Sequence, residues 1–240
     1  MLKTLLMLAQ TKTTRMAKVS ETTLEINLAS LKHNFEYLKS KLQNNTLFLA
    51  VVKAFAYGSD ASIVAKTLQE LEVDYFAVAY ISEGVALRKA GIKTPILVLH
   101  PQPNNLSLAI EHCLEPSLYT LKILKAFARV ARVLNQKNYP VHIKFNTGLN
   151  RLGFESEELD LVAEQFSETT ALKVKSVFSH LAASEDLEEK DFTLNQIALY
   201  KALSTAFIEK LGYPVIRHLC NTSGVLNYPE AHFDMVRCGI

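Results

Sequence analysis

Eight short apolar, β-rich runs recur along the chain, and segments with helical spacing separate most of them; no other feature constrains the fold as strongly. The runs cover residues 47–52, 75–80, 96–99, 114–118, 141–145, 174–178, 215–219 and 233–236. Between them lie "ASIVAKTLQELE", "ISEGVALRKAG", "LKILKAFARVARVLNQ", "ESEELDLVAEQF" and "NQIALYKALSTAFIEKLG", whose apolar residues return every three or four positions. An opening helix, "ASLKHNFEYLKSKL", precedes the first run. Strands that are apolar nearly throughout are buried on both faces, which implies a parallel sheet covered by helices. Eight such units point to an α/β fold of the closed, TIM-type (β/α)8 barrel, for which about 250 residues is typical. An open doubly wound sheet is the alternative, because the fourth and eighth units carry the weakest signal.

Composition narrows the partners. With 240 residues, 49% of them hydrophobic, the chain can bury a full core. A net charge of only +2, with no basic block interleaved with aromatics, argues against nucleic acid and for a small-molecule partner. No apolar stretch approaches the roughly 20 residues of a membrane span, so a soluble, cytoplasmic protein is expected. Cys113, Cys220 and Cys238 lie far apart with no CxxC pair and read as reduced, small buried side chains. Residues 1–20 are basic, without an acidic side chain, and lack the long apolar core of a signal peptide. They read as a disordered leader, a linker or sequence ahead of a start at Met16, leaving residues 21–240 for the barrel.

A barrel of this kind places its chemistry in the loops at the carboxyl ends of the strands. The polar residues there are Lys53, Arg151, His180, Asn221 and Arg237. A strand-end lysine among apolar walls and other cations favours a neutral amine, which can form a Schiff base or abstract a proton. "CNTSG" and "RCGI" are rich in small residues and backbone N–H donors, and they fall at the two loops where barrels commonly bind phosphate. A lysine beside a phosphate cradle points to pyridoxal phosphate. "AYGSD" lacks the P-loop spacing, so ATP is a poor candidate. "EDLEEKD" reads as the solvated start of a helix, and no metal site is expected.

Five segments, in order, carry a family resemblance. "VVKAFAYGSDA" resembles the cofactor-lysine signature of the alanine racemase family, in which a lysine opens K-A-x-A-Y-G. "HIKFNTGLNRLGF" is similar to that family's K-x-D-T-G-M-x-R-x-G, "FSHLAAS" to its T-H, and "HLCNTSGVLNYPEAHFDMVRCGI" to H-x-x-N-S leading into M-V-R-x-G-I. The resemblance implies a pyridoxal-phosphate barrel that interconverts L- and D-alanine for peptidoglycan synthesis, in a homodimer. It makes Lys53 the covalent anchor of the cofactor and one of two bases. Tyr57 would reach the cofactor phosphate, with Thr222, Gly239 and Ile240. Arg237 would donate to the pyridine nitrogen; a guanidinium there disfavours ring protonation and weakens the electron sink. His180 would pack by the ring near Arg237, and Asn221 would support both. Arg151 would bind the substrate carboxylate or the phenolate side of the cofactor. Lys144 aligns with a lysine that many members carbamylate to orient that arginine.

Plainer readings stand beside these. Lys53 alone would be an exposed strand-end lysine, His180 a structural histidine and Arg151 a surface salt-bridge former. His218 is either a neighbour of the site or a buried strand residue. His33, His100, His112, His142 and His232 have no supporting pattern and read as structural or solvated. Phe55, Ser59, Asp60, Asn146 and Thr222 depart from the family's usual residues. The family continues past R-x-G-I into a β-rich domain that supplies the opposite base, a tyrosine, across a dimer interface, whereas this sequence stops at Ile240. Racemisation needs proton removal on one face and delivery on the other. The expectation is therefore a racemase barrel domain incomplete by itself. A barrel that binds pyridoxal phosphate without racemising anything is the alternative, and a barrel kept only for assembly is the third reading.

Overall fold

The computed structural model describes residues 22–43 and 45–239, so the expected leader and Ile240 lie outside the described residues. Eight parallel strands form a closed barrel in sequence order: β1 Leu47–Val51, β2 Tyr75–Val78, β3 Ile96–Val98, β4 Glu115–Leu118, β5 Tyr139–Lys144, β6 Leu172–Phe178, β7 Ile216–His218 and β8 Met235–Cys238. Closure rests on β1 and β8, which pair from Leu47↔Met235 to Ala50↔Cys238. That pairing rules out the open sheet. The weakly marked fourth and eighth strands are both present.

Alternation along each strand divides the core into two shells. Phe48 and Ala50 face the helices, and Phe35 of the helix Leu28–Lys39 packs edge-on against Phe48 with ring centroids 4.8 Å apart. Leu49 of the same strand turns inward, where it meets Tyr75, Ala77, Leu97 and Met235. Helices start where a side chain can take up orphan N–H groups. Asp60 accepts from Ser62 and Ile63 ahead of Ala61–Glu70, and Thr120 accepts from Ile123 ahead of Leu121–Val133. Gly212, with φ +72°, ends the long helix Lys190–Leu211.

Two short helices, Leu106–Glu111 and Thr222–Asn227, were not legible as periodic segments, since fewer than two turns show no repeat. Cys220 and Cys238 are buried as expected, but Cys113 is exposed. Its φ of +50°, just past the helix Leu106–Glu111, turns the chain there and leaves the thiol outside the core. Among the described residues, no helix is long and apolar enough to cross a membrane.

Candidate active site

A cavity of about 440 Å³ opens at the carboxyl ends of the strands, and nine of the ten residues singled out in the sequence line it. The tenth is Ile240, outside the described residues. Lys53 follows β1 directly and is only partly buried. Its Nζ lies 5.9 Å from the centre of the Tyr57 ring.

The chain leaves Lys53 in an unusual way. Ala54, Phe55, Ala56 and Tyr57 have φ between +51° and +57° and ψ between 41° and 54°, a complete left-handed turn built without glycine. Each such residue costs roughly 1–2 kcal/mol, so the surroundings must impose the shape. Glu83, 29 positions along, accepts from the Ala54 N–H at 2.8 Å and holds it to the Ala79 and Tyr80 N–H groups, at 2.6 and 3.1 Å. Ala56 is fully buried and donates to Val52 O at 3.1 Å. Sequence reasoning missed Glu83, although a glutamate two residues into a helix that begins at a strand's carboxyl end was a usable signal.

Arg237 sits under the mouth, 4% exposed, and its Nη groups are saturated. Nη1 donates to His218 Nδ1 and His218 O, at 2.9 and 3.2 Å. Nη2 donates to Ser179 O, His180 Nδ1 and Leu219 O, at 2.6, 3.0 and 3.1 Å. Among the described residues its Nε–H has no partner. Burial lowers the guanidinium pKa to about 10, which still leaves it fully charged at neutral pH. His180 is therefore neutral: burial first, then Arg237, Lys144, Arg151 and Lys53, push its pKa down to about 3. His218 proves to be both of the things the sequence left open, a fully buried strand residue and a direct partner of Arg237.

The desolvated amine of the site is Lys144, not Lys53. Lys144 is 7% exposed, and burial, Arg151 and Arg237 bring its pKa down to about 8. Arg151 is exposed at the rim on a loop of fixed shape. Asn146 Oδ1 accepts from Gly148 and Asn150 N–H, and its Nδ2 donates to Asn150 and Glu155. Gly153, with φ +143°, passes so close that a Cβ would meet Asn146 N at 2.4 Å.

On the opposite wall, Thr222 and Gly239 bond each other reciprocally, hydroxyl to carbonyl and N–H to hydroxyl, both at 3.0 Å. Asn221 caps the helix Thr222–Asn227 by accepting from Gly224 N–H and also accepts from Ser184 Oγ. Its side chain hydrogen-bonds neither Arg237 nor His180, the two residues that the family resemblance had it support. His100, read as structural or solvated, lines the mouth with Nδ1 2.7 Å from Tyr119 Oη. His142 belongs to the barrel interior.

Residues 26–240 match the sequence profile of a family described as "Alanine racemase, N-terminal domain". The chain belongs to the alanine racemase family. It is 37% identical over 217 residues to alanine racemase 2 of Clostridium acetobutylicum, covering 90% of this chain and 54% of that protein. The alanine racemase of Treponema denticola is 38% identical over 219 residues, again with 90% of this chain and 57% of the relative. A solved alanine racemase of Clostridium difficile superposes with a TM-score of 0.84 at 30% identity, covering 90% of this chain and 56% of that one. The chain thus spans a little over half the length of the alanine racemases it matches, and the barrel is the shared part.

Proposed function

We propose that this chain is the cofactor-binding barrel of a pyridoxal-phosphate-dependent alanine racemase. The observation that carries the reading is one cavity lined by both Lys53 and a buried, fully charged Arg237 whose Nε–H has no partner among the described residues. The donor set fits pyridoxal phosphate. Arg237 offers a donor that never gives up its proton, suited to an unprotonated ring nitrogen. At Gly239 a Cβ would come within 2.5 Å of Tyr57 Oη, so only glycine lets that hydroxyl reach the loop ends where a phosphate would lie. Thr222 and Gly239 would turn from each other to the phosphate.

Bound there, the cofactor supplies an electron sink for the negative charge that develops at the substrate α-carbon. Lys53 would hold it and, as a free amine, would take or return the α-proton on one face. Arg237 would donate to the ring nitrogen, disfavour its protonation and so limit the sink. His180 would lie near the ring as a neutral group. Arg151, in its rigid loop, binds the substrate carboxylate. Lys144, part-neutral near pH 8, can react with CO2 to give a carbamate and a proton; the resulting anion would pair with Arg151. The substrate is alanine, the assembly a cytoplasmic homodimer, and the D-alanine formed serves peptidoglycan; these readings rest on the family.

Borohydride reduction of the protein with pyridoxal phosphate, followed by peptide mapping, tests the anchor. A pyridoxyl group on Lys53, lost in Lys53→Ala, is expected; modification elsewhere or none would sink the proposal. An L-alanine to D-alanine assay on the protein as it is encoded then separates a racemase from a barrel that binds the cofactor without turnover.

A further inference from the structure

A second set of polar groups runs away from the mouth, through the barrel interior to its opposite end. His218 Nε2 lies 2.7 Å from Ser176 Oγ, and Ser176 Oγ lies 2.5 Å from His142 Nδ1. His142 Nε2 in turn lies 2.8 Å from Glu115 Oε2, which also accepts from Tyr75 Oη at 3.3 Å. Ser176, His142 and His218 are fully buried, so each hydrogen in this row needs an acceptor.

Proton counting then leaves one arrangement. Arginine only donates, so His218 Nδ1 must accept and carries no hydrogen. Burial, then the Arg237 charge, hold the His218 pKa well below its usual value. The ring is therefore neutral, and its one hydrogen is on Nε2, donated to Ser176. The serine's single hydrogen goes on to His142 Nδ1, which leaves the His142 hydrogen on Nε2, donated to Glu115. A carboxylate accepts at both ends of its charge and closes the row. Burial alone would raise the Glu115 pKa, but the hydrogen bonds from His142 and Tyr75, with the charge of Lys175, outweigh it and leave the carboxyl lowered. The competing arrangement, a doubly protonated His142, would give Ser176 two donors and strand its own hydrogen in a dry interior.

We propose that Glu115 is a positioning residue for Arg237: its carboxylate terminates a one-way row of donation from Arg237 through His218, Ser176 and His142. The consequence lies in the charge of the guanidinium. All five acceptors around Arg237 are neutral carbonyls or imidazoles, so among the described residues no carboxylate touches it directly. The row gives the buried cation a polarised path to a carboxylate at the far end of the barrel and keeps an acceptor lone pair of His218 facing it. Its functional meaning rests on Arg237 being the group that meets the cofactor ring, but the row itself does not.

Nitrogen-15 NMR of histidine-labelled, cofactor-free protein reads the tautomers directly. His142 and His218 should both be neutral with hydrogen on Nε2. Ser176→Ala should leave both on Nε2, because Arg237 still donates to His218 Nδ1 and Glu115 still accepts from His142 Nε2; Glu115→Leu should mix the tautomers of His142, and Glu115→Gln, which keeps an oxygen acceptor, should not. Pyridoxal phosphate affinity should fall roughly tenfold in Glu115→Leu, as expected for loss of a hydrogen bond to a charged group, and fall by less in Glu115→Gln, which keeps the acceptor without the charge. A doubly protonated His142 in the wild type overturns the proposal, as does a Glu115→Leu protein with unaltered tautomers or unaltered affinity. Should Glu115→Leu fail to fold, the wild-type spectrum and Glu115→Gln still decide. Because tautomers are read without cofactor, failure of the racemase reading would leave this result standing, and the reverse also holds.

Discussion

Around β1, β2 and β3 the barrel interior is filled by Leu49, Ala77 and Leu97, with Met235 of β8 against them, whereas around β5 to β8 the same space holds His142, Ser176, His218 and Arg237. Both halves are equally dry. Tyr75 joins them, its ring in the apolar cluster and its hydroxyl on Glu115. The apolar half is stabilised by removing surface from water and tolerates no orphan polar atom. The polar half stays buried because strand register brings donor to acceptor: His142 sits opposite Ser176 on the adjacent strand, and His218 of the next strand reaches the same hydroxyl while its ring stacks on Phe178 opposite it. A charge can be kept in a barrel core only where such a register exists.

Placing one polar group in the wrong half should have the largest effect. Leu97→Asn opens a cavity and buries an amide without partners, and should destabilise by about 5 kcal/mol in urea unfolding. Arg237→Met should cost about 3 kcal/mol, because it strands the carbonyls of Ser179 and Leu219. It should also abolish the family's ring contact, seen as altered cofactor absorbance.

Lys144, buried at the end of β5, has no hydrogen-bond partner among the described residues, and its effect has the opposite sign. Its folded pKa, about 8, lies below the ordinary 10.5, so the unfolded chain binds more protons between those values. Wild-type stability should therefore rise with pH through that window, and Lys144→Met should flatten the rise. At pH 7 the variant should be more stable by as much as about 3 kcal/mol, at about 1.4 kcal/mol per pKa unit, measured with CO2 excluded. The smallest effect tests the rule itself. Ser117 is buried in β4 with its hydroxyl unpartnered, so Ser117→Ala should leave stability within about 0.5 kcal/mol or raise it, unlike Ser176→Ala. A large loss at Ser117 would show that the polar half does not depend on pairing.

The strands could be read because each is a local pattern: even "EPSL" of β4, with its proline, ended as a full stave. Residues at the strand ends were legible for the same reason, since a barrel topology sends every strand's carboxyl end to one mouth. Lys53, Arg151, His180 and Arg237 therefore converged as expected. The left-handed turn was not legible, because Ala54, Phe55, Ala56 and Tyr57 have no local reason to leave the right-handed region. Nor were His142 and Ser176, which look like any polar residues on a strand until their partners arrive from the next one.

By itself, then, the sequence determined the barrel, the mouth and the family, since these rest on short-range periodicity and on motifs read within a few residues. Tertiary structure decided which lysine is desolvated, where the Thr222 and Gly239 bonds go, how Glu83 shapes the turn after Lys53 and how Arg237 is held. Each depends on groups far apart in the chain that meet only when the barrel closes, in an interior where a missing partner is costly and a present one fixes the proton.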